Sequence, residues 1–315
     1  MSATIALGQH LRICPPATSA NLGPGFDSFG LALDYRDELL VSTAEHTEVV
    51  VHGEGAESLP RDESHLIVAK MREYWAERGV EPVGVRLEAT NNIPHARGMG
   101  SSAAAIVAAY AAADALLPPA LRGGAQAVFQ AAAAWEGHPD NVAPAVFGGL
   151  SISASLDDGE FSAVPLPVHS AVRAVLAIPS TGLSTHAARS VLPEQIDHSR
   201  AAANSAATGL LVHAIGHAPQ HLLAGTRDYL HQDYRAEAMP ESAELIRRLR
   251  EAGLAAVVSG AGPTVLTLVS TEADEDRAQQ LIEGYAEQLE ASGNPVNWRI
   301  EIPALARNGV TVEVL

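Results

Sequence analysis

The sequence predicts an α+β protein of two domains, and three observations carry that expectation. A strand-like run at residues 83–89 passes through a glycine loop directly into a long alanine-rich helix. Near the C-terminus helices and strands alternate with one tight hairpin, the pattern of a ferredoxin-like α+β sandwich. At 315 residues, 47% hydrophobic and 18% charged, the chain can bury a sizeable core, and two domains is the natural division of that length. Pro165 and Pro167 mark the boundary, giving residues 1–165 and 166–315 with no long linker between them.

In chain order, a strand is expected at residues 10–14. Residues 15–27, PPATSANLGPGFD, are too rich in Gly, Pro and small polar residues to be regular structure, yet Leu22 and Phe26 would pin them to a core. A pinned loop carrying Asn21 and Asp27 looks like a binding loop, although such side chains also serve plain turns. Strands follow at 38–42 and 48–52, the second ended by Gly53 and Gly55. A helix over 64–78 can bury Leu66, Val68, Ala69 and Trp75 on one side.

The central stretch, NNIPHARGMGSSAAAIVAAYAAA from Asn91 to Ala113, reads as a phosphate loop delivered onto a helix. Pro94, Gly98 and Gly100 mark the loop, and Ser101 stands where an N-cap belongs. A helix start presents unpaired backbone N–H groups and the positive end of the macrodipole, so an anionic phosphate is its natural guest. A Walker A loop is excluded, because it needs Lys before its Ser/Thr and the chain has lysine only at Lys70. The dinucleotide fingerprint fails as well, since no third glycine follows Gly100 at the required spacing.

A second helix is expected at 121–135, and Glu136-Gly137-His138-Pro139-Asp140-Asn141 follows. Two carboxylates, an imidazole and a carboxamide within six residues are more polar chemistry than a plain connector needs. Asp157-Asp158-Gly159 turns between two short strands, and a further strand covers 172–178. The helix opening at Leu183-Ser184-Thr185 places Thr185 and Arg189 one turn apart on one face. Helices at 199–215 and 219–228 precede Tyr234-Arg235. Then come a helix (242–252), a strand (255–259), the tight loop Gly260-Ala261-Gly262-Pro263-Thr264, a strand (265–269), a helix (271–289) and a strand (296–302).

A net charge of −17 with no basic block argues against nucleic-acid or anionic-membrane partners, so an anionic substrate would need local arginines. Cys14 is the one cysteine, which leaves no disulfide framework or thiolate metal cluster. No apolar run approaches the roughly 20 residues that span a bilayer, and no charged-then-apolar leader is visible, so a cytoplasmic protein is expected.

The run P-x-x-x-G-x-G-S-S-A-A resembles the nucleotide signature of the GHMP kinases, with Met99 in place of the usual Leu, a volume-conserving change. D-N-V-A-P-x-x-x-G-G from Asp140, A-x-S-A-N with G-F-D around Asn21 and Asp27, S-T-x-x-A-R ending at Arg189, and Y-R at Arg235 resemble the homoserine kinase branch in particular. S-G-A-G-P-T resembles the third GHMP signature. His65 departs from the Asn that family members carry near the nucleotide base.

The resemblance implies the two-domain GHMP kinase fold, an N-terminal nucleotide-binding α+β domain and a C-terminal ferredoxin-like α+β sandwich. It implies ATP-dependent phosphorylation of L-homoserine with Mg²⁺, and leaves a homodimer open. ATP contacts would fall on Pro94, Arg97, Gly98, Met99, Gly100, Ser101, Ser102 and Ala103, and metal ligation on Ser102 and Glu136. Homoserine is a small zwitterion: Arg189 and Arg235 could fork its carboxylate and Asp27 pair with its ammonium. Asn21, His138, Thr185 and Asn141 would orient it, with Gly260 and Gly262 closing over both substrates. The base could be His138, Asp27 or the phosphate itself, since the amide Asn141 accepts no proton. Two alternatives stay open, another small-molecule GHMP kinase and a GHMP-fold binding protein without catalysis. The arginine pair favours homoserine over the first, and the intact Ser102, Glu136 and glycines speak against the second.

Overall fold

The computed structural model describes residues 4–294 and 296–315. Five strands open the chain: β1 (His10–Cys14), β2 (Pro16–Ala20), β3 (Phe29–Arg36), β4 (Glu38–Ala44) and β5 (Glu48–Gly53). Helix α1 (Leu66–Glu77) leads to β6 (Gly84–Asn91), which feeds α2 (Ser101–Leu116) through the glycine loop. Helices α3 (Gly124–Glu136) and α4 (Val142–Phe147) follow, then the hairpin β7 (Leu150–Ser155) and β8 (Phe161–Leu166). The second half runs β9 (Arg173–Pro179), α5 (Thr185–Ser190), α6 (His198–Gly216), α7 (Leu222–Gly225), α8 (Gln232–Arg235) and α9 (Pro240–Glu251). It continues with β10 (Ala255–Val258), β11 (Val265–Val269), α10 (Glu272–Ala291), β12 (Trp298–Glu301) and β13 (Thr311–Val314).

Three sheets result, ordered β13-β1-β4-β6-β5, β2-β3-β7-β8 and β10-β11-β9-β12. The third is antiparallel throughout. With helices between β9 and β10 and between β11 and β12, it has the ferredoxin-like arrangement that the alternation predicts. The last strand, β13, returns to pair with β1, so the C-terminal segment completes the sheet of the N-terminal half.

Three strands differ from expectation, β2, β3 and β13, the last of which was not expected at all. Residues 16–20 form β2 rather than irregular loop, and all five are buried. Pro16 is tolerated because β2 is an edge strand and Pro16 is its first residue. Strand β3 was hidden because its first five residues are buried without alternation, which removes the period-2 signal. The helix expected over 219–228 is a 3₁₀ turn plus the single turn α7. It stops at Gly225, which packs so closely on α6 that a Cβ there would sit 2.9 Å from Leu211 Cα.

Helix α2 is buried nearly all round. Its alanines give it little side-chain radius, so α1, α3, β1 and β2 close around it. Apolar residues of both halves, among them Leu22, Phe29 and Leu31 with Leu176, Leu211 and Leu266, form one continuous cluster. Among the described residues no helix is long and apolar enough to cross a membrane.

Asp37, between β3 and β4, fixes the exit of β6 toward the glycine loop. Its Oδ1 accepts from the backbone N–H of Asn92 at 2.6 Å and of Ile93 at 2.8 Å. Burial outweighs these two bonds and raises its pKa from 3.8 to about 6. Between those values the folded chain holds a proton that the unfolded chain has lost, so this group favours folding at low pH. That contribution is lost as pH rises through about 6. Asn at this position keeps the Oδ1 acceptor without a charge. Melting temperatures of Asp37→Asn and wild type should therefore diverge in the variant's favour between pH 4 and 7, and parallel curves would show that the carboxyl does not titrate in this range.

Candidate active site

Gly98 and Gly100 both have positive φ, at 72° and 68°, and they turn the chain from β6 onto α2. Gly100 itself is the N-cap, in the left-handed region, and Ser101 is the first helical residue rather than the cap. The first intrahelical bond runs from Ala104 N to Gly100 O at 2.9 Å. The amides of Ser101, Ser102 and Ala103 precede it, as at any helix start, and these residues line a cavity of about 320 Å³.

The loop is locked against the second glycine loop, 259–264. Ser259 Oγ donates to Gly98 O at 2.6 Å and lies 2.8 Å from Ser19 Oγ. Gly260 N reaches Ala20 O at 3.1 Å, and Thr264 N reaches Arg97 O at 3.3 Å. A Cβ on Gly98 would overlap the Ser259 carbonyl oxygen, so its glycine requirement is set by the neighbouring loop. A Cβ on Gly100 would overlap Thr18 Oγ1 and lie 3.0 Å from Asn141 Oδ1. Thr18 thus fills the space beside Gly100.

A third wall comes from the turn after α3, where Gly137 caps the helix at φ 81°. Asp140, 2% exposed, organises this turn. Its Oδ1 lies 2.8 Å from His138 Nδ1 and accepts from Asn141 N at 2.9 Å and Asn141 Nδ2 at 3.3 Å. Thr18 Oγ1 donates to Asn141 Oδ1 at 2.8 Å. The bond to Asp140 raises the pKa of His138 against the opposing effect of burial, so the imidazole keeps its proton to higher pH than a free one. Glu136 lines the same cavity, and its Oε1 is buried without a hydrogen-bond partner among the described residues.

The fourth wall carries the opposite charges. Arg189 Nη2 and Nη1 fork the Asp27 carboxylate at 2.6 and 3.1 Å, so two residues expected to act separately face each other as an ion pair. Arg235 is 1% exposed. Its Nε donates to Ala188 O at 3.0 Å and its Nη1 to His231 Nδ1 at 3.1 Å and Gly260 O at 3.2 Å. Nη2 alone is unengaged among the described residues, so this arginine offers the cavity one nitrogen rather than a planar fork. Burial, with Arg189 nearby, lowers its pKa to about 10, which still leaves it charged near neutrality. Asn21 joins the walls: Nδ2 donates to Gly260 O at 2.7 Å and Oδ1 accepts from Asp27 N at 3.0 Å.

Met99, Thr185 and Gly262 also line this cavity. Pro94 and Arg97 do not. The Arg97 guanidinium is fastened to the carbonyls of His95, Pro179 and Ser180 at 2.5, 3.3 and 2.6 Å. Pro94 precedes the turn and lies outside the lining. Sequence reasoning missed Thr18 and Ser259 and assigned no such part to Asp140, because each acts through a partner distant in sequence. A larger cavity of about 900 Å³ in the C-terminal half is lined by none of the residues named for the chemistry.

The Gly100 geometry has a direct test. Gly100→Ala should weaken nucleotide binding by forcing Thr18 off Asn141, and adding Thr18→Ala should recover part of the loss. The remainder reflects left-handed backbone strain of roughly 1–2 kcal/mol. Nucleotide affinity no better in the double variant, by calorimetric titration, would rule out the clash.

Similarity to known proteins agrees with this geometry. Residues 65–149 match the GHMP kinases N terminal domain model, and residues 212–291 the GHMP kinases C terminal model. The homoserine kinase of Clavibacter michiganensis subsp. michiganensis is 44% identical over all of this chain and 98% of its own. That of Leifsonia xyli subsp. xyli is 44% identical over 97% of this chain and 96% of its own. The crystal structure of homoserine kinase from Cytophaga hutchinsonii superposes with a TM-score of 0.82 at 25% identity, covering 96% of this chain and 97% of that one. On this similarity over its whole length, the chain belongs to the homoserine kinase family of the GHMP kinases.

Proposed function

We propose that the cavity transfers the γ-phosphoryl group of ATP to the side-chain hydroxyl of L-homoserine. The observation that carries the substrate is the Asp27–Arg189 ion pair beside Arg235. A zwitterion brings a carboxylate for Arg189 and the Arg235 Nη2, and an ammonium for Asp27. One internal ion pair is thereby exchanged for three with the ligand, and Arg235 remains charged to receive it. A neutral or phosphorylated alcohol would leave Asp27 either redundant or repelling.

The triphosphate is held by the amides of Ser101, Ser102 and Ala103 at the start of α2, whose dipole favours negative charge. Ser102 and Glu136 Oε1, the latter without a partner among the described residues, would supply hard oxygen ligands that suit Mg²⁺. When bound, the metal neutralises phosphate charge. Gly260 and Gly262 close the cavity from the other side.

No side chain is placed to act as an obligatory base. Asn141 cannot accept a proton, Asp27, paired with Arg189 in the free protein, is taken by the substrate ammonium, and His138 is held toward its protonated form by Asp140. Phosphoryl transfer through a loose transition state needs little prior deprotonation, and the hydroxyl proton passes to the transferred phosphate. His138 and Asn141 then orient the hydroxyl, positioned in turn by Asp140 and Thr18.

ADP release with homoserine, mevalonate, galactose, shikimate and threonine as acceptors tests the substrate, and homoserine should be turned over far better than the rest. Turnover led by another acceptor would overturn the assignment. His138→Leu should raise KM for homoserine while lowering kcat less than about 10²-fold, below the usual size of general-base catalysis. A larger kcat loss at unchanged KM would make His138 the base.

A further inference from the structure

His231, wholly buried at the start of α8, is a titratable group that the chemistry above leaves unused. Its Nε2 lies 2.9 Å from the Gly23 carbonyl oxygen and its Nδ1 3.1 Å from Arg235 Nη1. A guanidinium can only donate, so Nδ1 accepts, and the proton sits on Nε2 and is donated to Gly23. Burial lowers the pKa of His231 against the pull of Asp228, in keeping with this neutral tautomer.

The surroundings give the ring no freedom. Asp228 accepts from the backbone N–H of Leu230, His231 and Gln232 at 3.1, 2.9 and 2.7 Å, which fixes the start of α8. Phe26 stacks on the imidazole with centroids 5.1 Å apart. The guanidinium carbons of Arg235 and Arg189 lie 5.4 and 5.5 Å from the centre of that same Phe26 ring. The two sides of His231 thus hold the two parts of the charge-binding wall, the 21–27 loop through Gly23 and the arginine through Nη1.

We propose that His231 is a positioning residue for the substrate carboxylate: by accepting from Arg235 Nη1 and donating to Gly23, it aims the free Nη2 of Arg235 into the cavity in register with Asp27. The inference rests on reading the cavity as a homoserine kinase site. With Nε and Nη1 engaged by Ala188, Gly260 and His231, the guanidinium plane is set and Nη2 has one direction left. Without the imidazole acceptor, one Nη1 proton is unpaired in a buried place and the plane is free to rotate toward another acceptor.

The test compares L-homoserine with 3-amino-1-propanol, which keeps the amine and hydroxyl but lacks the carboxylate, in wild type, His231→Phe and His231→Asn. Phe keeps the stacking and removes both bonds, whereas Asn restores an acceptor near the Nδ1 position. His231→Phe should raise KM for homoserine by roughly tenfold or more, the effect of one lost charge-assisted hydrogen bond. KM for ATP should stay within about twofold, and the preference for homoserine over the amino alcohol should fall by a similar factor. His231→Asn should retain most of that preference, and it decides the matter alone if His231→Phe does not fold. A folded His231→Phe with wild-type preference, or an Asn variant that loses the preference, overturns the role of His231. A wild-type enzyme that fails to turn over homoserine overturns the functional reading instead.

Discussion

The close approach of the 98–100 loop to the 259–264 loop is the constraint on which the rest of the site depends. No side chain fits between Gly98 and the Ser259 carbonyl, and the Ser259 hydroxyl ties the two together at 2.6 Å. That contact sets the start of α2 against the hairpin of β10 and β11, and so joins the N-terminal half to the ferredoxin-like half. Strand β2 is trapped alongside, with Ser19 and Ala20 bonded to the second loop and Thr18 to Met99. The cavity is therefore the seam between the halves, walled by both.

Charge is distributed with the same economy. A chain of net charge −17 must attract a triphosphate and a carboxylate, and it does so with local devices. In the proposed reading helix-start amides would serve one anion, and Arg189 and Arg235 the other, each held by a partner that limits its freedom, Asp27 in the first case and His231 in the second. Three buried carboxylates are committed to structure: Asp140 orders the His138 turn, Asp228 the start of α8, and Asp37 the entry to the glycine loop.

Much of this was legible in the sequence where the chemistry is local. The paired glycines before Ser101, the Glu136–Asn141 cluster and the 259–264 loop announce themselves because turns and helix starts are specified by neighbouring residues. What stayed hidden depends on distant pairing. Thr18 meets Asn141 across 123 positions and Asp27 meets Arg189 across 162. Neither partner choice has a sequence signal, so Asp27 and Arg189 read as independent ligands rather than as each other's counter-ions. The carbonyls that hold the Arg97 guanidinium, two of them more than 80 positions away, have no sequence signal either. Strand β3, buried on both faces, and strand β13, which pairs with the opposite end of the chain, lack the alternation or locality from which strands are recognised.

If ATP and homoserine occupy one seam held by the two glycine loops, then loosening the seam must weaken both together. Steady-state KM values for ATP and homoserine in Ser259→Ala, whose hydroxyl bonds Gly98 and which does not itself line the cavity, measure this. Loss of a hydrogen bond worth about 1 kcal/mol should raise both constants in parallel, each by roughly fivefold, in a protein that remains folded. A rise in one constant alone, or in neither, would contradict a shared cavity built by the interlocked loops.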